Sequence, residues 1–195
     1  MQHGAPTLGG CMAIGGGYAI AMCNGHCVVV ALRRARERIL YENIHKSISM
    51  GAMPTQRMFF AEELKLSSEE YQLLECHATE FAALGFDIEY RGDDTISVIG
   101  RPAILDQSIA LDELIYELLH GIECGKMPID EERQRLAELM AQRGSAGYGH
   151  NLQTAECEEL LNTLFKCDDY SFTPSGAPIM AEITHDELRT KLARK

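Results

Sequence analysis

Val28 to Glu42 reads V-V-V-A-L-R-R-A-R-E-R-I-L-Y-E, and it constrains the fold more than any other stretch of the chain. Three consecutive β-branched residues favour a buried strand. With no Gly or Pro between them, they run straight into residues that favour a charged helix, from about Arg34 to Ser47, with Ile39, Leu40 and Ile44 on one side. Upstream, Asn24-Gly25 is a strong two-residue hairpin signal before His26 to Leu32, and Gly15-Gly16-Gly17 separates Gly10 to Ile14 from Tyr18 to Cys23. Tyr18, Ile20 and Met22 alternate with Ala19 and Ala21, so one face of that strand is bulky and the other allows close packing.

Downstream the pattern changes. A Gly/Pro break at Gly51 to Pro54 precedes an extended run, Gln56 to Leu66. Ser67-x-x-Glu70 is a capping box opening one helix on which Leu74, Ala78 and Phe81 recur at helical spacing, with Gly85 past its end. Short strands are expected at Asp87 to Tyr90 and Thr95 to Gly100, about the turn Arg91-Gly92-Asp93-Asp94. Helices follow at Leu111 to Ile122, Ile129 to Arg143 and Thr154 to Cys167. A strand at Pro178 to Ile183 and a helix capped by Thr184-x-x-Glu187 close the chain. The order implies an α+β fold in which the first and last segments share a layer. We expect a linker remnant at residues 1–9, one subdomain built from 10–50 and 150–195, and an inserted subdomain at 51–149.

At 195 residues the chain can bury a real core. Its net charge of -11 argues against gripping DNA unaided, because that requires Lys and Arg to neutralise phosphates. There is no apolar stretch of transmembrane length, and the N-terminus has no signal-peptide pattern, so neither a membrane partner nor export is expected. Seven scattered cysteines, including Cys76 and Cys124, read as free thiols in a reducing cytoplasm.

Three pieces of candidate chemistry can be weighed from residue types alone. Cys23, His26 and Cys27 form C-x-x-H-C, but structural zinc needs a second ligand pair and a hairpin would place these residues on alternating faces. Cys76 and His77 are adjacent on a helix and diverge by about 100°, which disfavours a nucleophile pair. The triplet Gly15 to Gly17 could supply an oxyanion hole to a small-molecule enzyme, although a turn explains it more simply. No cofactor or metal ligand set is expected.

The order and spacing of several segments resemble the C-terminal domain of the MutL family of DNA mismatch-repair proteins. The resemblance covers Leu8 to Lys195. It rests on L-G-x-x-x-A-I-x-x-x-Y-A-I-A from Leu8, E-L-K-L-S-S-E-E-Y-Q-L-L-E from Glu63, E-F-A-A-L-G-F-D-I-E from Glu80 and T-I-S-V-I-G-R-P-A from Thr95. Nuclease-competent members of that family carry D-Q-H-A-x-x-E-x-x-x-x-E where this chain has Ala31, Leu32 and Arg33, followed by Glu37 and Glu42. Their A-C-H/R segment corresponds to Ala141-Gln142-Arg143, and their C-P-H-G-R-P to Thr173-Pro174-Ser175-Gly176-Ala177-Pro178. All three clusters have lost metal donors, with only Glu37 and Glu42 left, and an arginine among the ligands would repel a cation. The resemblance therefore implies the branch without endonuclease activity, with Glu37 and Glu42 as remnants.

That branch is a homodimerisation module, with an ATPase in an N-terminal region that this sequence does not show. The resemblance implies a homodimer that meets other mismatch-repair proteins and reaches DNA mainly through the missing region. We expect the dimer face to use Tyr18, Ile20, Met22, Val28 and Val30, with the last strand and helix. Gln56, Met58, Phe59 and Phe60 stand where family members bind the replication sliding clamp; the alternative is a plain buried strand. Arg33, Arg34, Arg36 and Arg38 form a basic patch that either meets DNA or a partner, or makes solvated ion pairs with Glu37. A residual metal-dependent nickase using Glu37 and Glu42 is the competing function.

Overall fold

In the computed structural model, residues 6–122 and 128–193 are described; part of the expected linker remnant and Cys124 lie outside them. The elements run β1 (Leu8–Gly15), β2 (Tyr18–Cys23), β3 (His26–Ala31), α1 (Leu32–Ser49), β4 (Thr55–Lys65), α2 (Ser68–Cys76), α3 (Ala78–Ala83), β5 (Asp87–Gly92), β6 (Thr95–Pro102), α4 (Leu111–His120), α5 (Ile129–Gly144), α6 (Thr154–Leu164), β7 (Met180–Glu182) and α7 (His185–Ala193). The fold is α+β, with two antiparallel sheets ordered β1-β2-β3-β7 and β4-β6-β5. The chain divides into two compact units, residues 1–39 with 145–195 and residues 40–144. The division falls inside α1 and not at the Gly/Pro break, because Leu40, Ile44 and Ile48 pack into the second unit's core while Leu32, Ala35 and Ile39 pack into the first's.

In the first unit the two-residue turn at Asn24-Gly25, with both residues at positive φ, sets the register of β2 against β3. Cys23 stands opposite His26, Ala21 opposite Val28 and Ala19 opposite Val30. Opposed residues share a face. Ala19, Ala21, Val28 and Val30 therefore all point into one core, with Leu160, Leu161 and Leu164 of α6. β7 joins the far edge of β3 through Val28, Val29 and Val30. Helix α6, which packs against β1, carries a capping box formed by Gln153 and Glu156 that is absent from the expected caps.

The second unit packs α2 to α5 around the sheet centred on β6, where Ile96 and Val98 are fully buried. Ser67 and Glu70 cap α2 reciprocally, as the spacing requires. The helix expected to run on from there is instead split at His77, whose φ of -110° and ψ of 20° end α2 and start α3. The ring of His77 turns inward, its Nδ1 2.5 Å from a carboxylate oxygen of Glu132 on α5. Gly85, with φ of 89°, ends α3; a Cβ there would lie 3.1 Å from the Pro54 carbonyl oxygen. The buried Arg101 guanidinium donates to the carbonyls of Asp106, Gln107 and Ile109 and so fixes the loop before α4.

Candidate functional site

The face of the first unit's sheet that looks away from its core is apolar, and none of the described residues closes over it. Met12 opposes Ile20, Ile20 opposes Val29, and Val29 opposes Ala181, which makes one cross-strand row over all four strands. Met12, Ile14, Tyr18 and Met22 around it are exposed. Side-chain alternation corrects part of the expected face. Val28 and Val30 belong to the core, and Cys27 and Val29 are the β3 residues that share the outer side with Ile20. The closing helix α7 buries none of its residues and leaves Leu188 and Leu192 exposed. Its N-terminus is held by Thr184 and Glu187, which bond each other reciprocally.

The start of α1 is built differently from expectation. Glu37 is only 3 % exposed, so the solvated ion-pair surface inferred for it is replaced by a buried carboxylate. The nearby Arg33 places Nη1 3.6 Å from its Oε2. Successive residues on a helix turn by about 100°. Four arginines within six positions must therefore radiate, and they do not form one patch. Arg33 is exposed and pairs with Glu37. Arg34 donates 2.7 Å to the Pro178 carbonyl, Arg36 lies 5.4 Å over the ring of Tyr148, and Arg38 is half-buried. Glu42 is half-buried further along the helix.

The contact from Arg34 brings the Thr173–Pro178 loop to the first turn of α1. That loop is closed on itself: Thr173 N–H donates to the Ala177 carbonyl, Ala177 N–H donates to Thr173 Oγ1, and Gly176 adopts φ of 84°. Two of the three donor-poor segments thus meet within the first unit. Arg143, from the third, belongs to the second unit, where it pairs with Glu113 and Glu117.

Other candidates do not assemble. The His26 ring is exposed and 2.8 Å from Glu182, while Cys23 is buried, so C-x-x-H-C does not converge. Gly15 and Gly16 are exposed in the β1–β2 turn, where a developing negative charge would meet water and not an enclosed site. Three thiols of this unit are muffled. Burial, and then its neighbour Cys157, push Cys11 up to about 11, and burial also raises Cys23 and Cys157.

In the second unit β4 departs from regular pairing where the clamp-like peptide lies. Arg57 opposes Gly100 but Glu62 opposes Val98, so a five-residue advance on β4 answers a two-residue advance on β6. The surplus pushes the peptide outward. Phe59 is fully exposed and Phe60 87 % exposed, which overturns the plain buried-strand alternative. Gln56, Met58, Phe59 and Phe60 line a shallow cavity with Arg101 and Gln107.

Among the described residues no helix is long and apolar enough to cross a membrane. An α+β chain of two sheet-bearing units, one with an uncovered apolar sheet face, has the build of an association domain. The family model of the MutL C terminal dimerisation domain matches residues 11–152, and the chain belongs to that family, the dimerisation domain of DNA mismatch-repair proteins. The protein named DNA mismatch repair protein MutL from Endomicrobium trichonymphae is 28% identical over 178 residues, 91% of this chain and 30% of that protein. The proteins of the same name from Trichlorobacter lovleyi and Methanothrix thermoacetophila are each 27% identical, over 88% and 91% of this chain and 29% and 32% of their own lengths. The chain thus spans about a third or less of the relatives it matches.

Proposed function

We propose that the chain is the homodimerisation module of a mismatch-repair protein and has no nuclease activity of its own. The dimer reading rests on the row Met12–Ile20–Val29–Ala181, an apolar face that the unit's own helices leave open. Such a face is stable in water when a second copy covers it. The loss of nuclease activity rests on Arg33, whose guanidinium stands against the retained Glu37 and supplies locally the positive charge that a metal would bring.

One purified sample tests both halves. Sedimentation at tens of micromolar, an order-of-magnitude threshold for a stable interface, should return a dimer. Incubation with manganese and supercoiled plasmid should leave the plasmid intact. A monomer would sink the first half, and nicking that disappears in Glu37→Ala would sink the second.

The β4 bulge favours an additional role as a docking point for the replication sliding clamp. An extended segment presenting two adjacent exposed phenylalanines beside a glutamine suits insertion into a preformed apolar pocket. Binding of the clamp should be lost in Phe59→Ser with Phe60→Ser, with folding unchanged because neither ring is in the core. Downstream repair factors and DNA would be met by the assembled, longer protein.

A further inference from the structure

We infer that the second unit binds a divalent transition-metal ion on His77, Glu80 and Glu132. These three residues each offer one ligand atom, and the atoms lie within 4.8 Å of one another. Ligands bound at about 2.0–2.2 Å from zinc sit roughly 3–4 Å apart, so small side-chain rotations would gather them around one ion. His77 and Glu132 are 7 % and 6 % exposed, and Glu80 is half-buried.

The bonding within the cluster is incomplete. Glu132 Oε1 approaches His77 Nδ1 to 2.5 Å, yet it is not aligned to accept a hydrogen bond and has no other partner. His77 Nε2 is likewise buried without a partner. Sealed polar atoms of this kind are rare, because each forfeits its hydration. An imidazole–carboxylate ion pair alone would leave Nε2 unsatisfied and a second carboxylate, Glu80, crowded beside the first. No described Lys or Arg is ion-paired with Glu80 or Glu132. A dication supplies the missing positive charge and takes up lone pairs of the carboxylates and of one ring nitrogen of His77.

The local backbone serves the same end. The helix breaks at His77 without any side-chain cap, and the break directs the imidazole inward. Glu80 follows three residues later in the first turn of α3, a spacing that keeps both side chains on one side. Glu132 arrives from the first turn of α5. One imidazole and two carboxylates suit zinc or manganese, with a remaining position for water. Such an ion ties α2 and α3 to α5, and its binding energy adds to the stability of the unit. This site is separate from the Glu37 region and does not depend on the dimer.

The test uses the chelator-treated chain and zinc or manganese alone. Calorimetric titration and elemental analysis should find one ion per chain. The thermal midpoint should rise by about 5 °C or more at a hundredfold excess over Kd. Glu80→Gln, at a half-buried position, should keep the association state in sedimentation and abolish both the bound ion and the thermal shift; Glu132→Gln should do the same. Cobalt in place of zinc should give visible bands without a thiolate charge-transfer band. Three results would overturn the site: no stoichiometric ion with either metal, binding unaltered in Glu80→Gln, or a thiolate band that moves the ion to the cysteines.

Discussion

The two sheets of this chain are alike in construction and opposite in surface. Each is antiparallel and packs one set of side chains into a core with helices. In the first unit the rows alternating with the core are apolar, as in Met12–Ile20–Val29–Ala181. In the second, the corresponding row is Glu63–Ser97–Glu89, with exposed carboxylates at both ends, Arg91 paired to Glu89, and Ser97 buried between them. Exposed carboxylates are complete in water. An apolar row is not, and on the proposed dimer reading the difference favours association at the first sheet and self-sufficiency of the second.

The most direct way to break this contrast is a charge in the middle of the apolar row. Ile20→Glu should weaken the dimer roughly a thousandfold, about 4 kcal/mol, because it buries an unpaired carboxylate. Sedimentation of Ile20→Glu beside Glu89→Lys checks it: the first should become a monomer and the second should not. A dimer that tolerates Ile20→Glu places the interface elsewhere.

Next in size, Leu118→Ala empties a fully buried position of the second unit. Urea unfolding should record a loss of about 3 kcal/mol with association unchanged. If the dimer dissociates too, the self-sufficiency of that unit is wrong.

A smaller effect concerns the α2 cap. Ser67→Ala should cost about 1 kcal/mol. Hydrogen bonds from Ser67, its backbone N–H first, hold the Glu70 carboxyl below its ordinary 4.5. A depressed carboxylate contributes stability that is complete above its unfolded value and lost as pH falls through the lowered folded value. Acid titration should therefore weaken the second unit below about pH 4.5. Glu70→Gln, which removes the titrating carboxyl, should flatten that dependence, whereas Ser67→Ala, which keeps the backbone N–H, should flatten it only in part.

The smallest effect sharpens the contrast chemically. Timed alkylation at neutral pH, read by mass spectrometry, should label the exposed Cys76 of the second unit well before Cys11, Cys23 and Cys157 of the first. Equal rates would mean that the first unit's sheet is far less closed on its inner side than its packing implies.

Local rules made much of the fold legible. The Asn24-Gly25 turn, the Ser67–Glu70 and Thr184–Glu187 caps and the strand-to-helix run at Val28 all depend on residues a few positions apart. Val28 and Val30 face the core and not the expected dimer side, and the reason is local: the two-residue turn opposes Cys23 with His26, and counting inward puts both valines beside the buried alanines. The break at His77 was not legible. It answers to Glu132, far along the chain, and the only sequence trace is the spacing His77-x-x-Glu80. The burial of Glu37 and the outward thrust of Phe59 were hidden for the same reason, since solvent exposure of a charged helix residue or a strand aromatic is decided by packing partners that periodicity does not name.

The bulge in β4 has a consequence for evolution as well as for recognition. Regular pairing resumes on both sides of it, at Thr55–Arg57 and again at Glu62–Lys65, so the intervening peptide is a tethered arc. Freezing a free peptide costs roughly 1–2 kcal/mol per residue; here folding has already fixed both ends. A partner for Phe59 and Phe60 would meet a partly ordered ligand, and mutations could retune those side chains without disturbing the sheet that carries them.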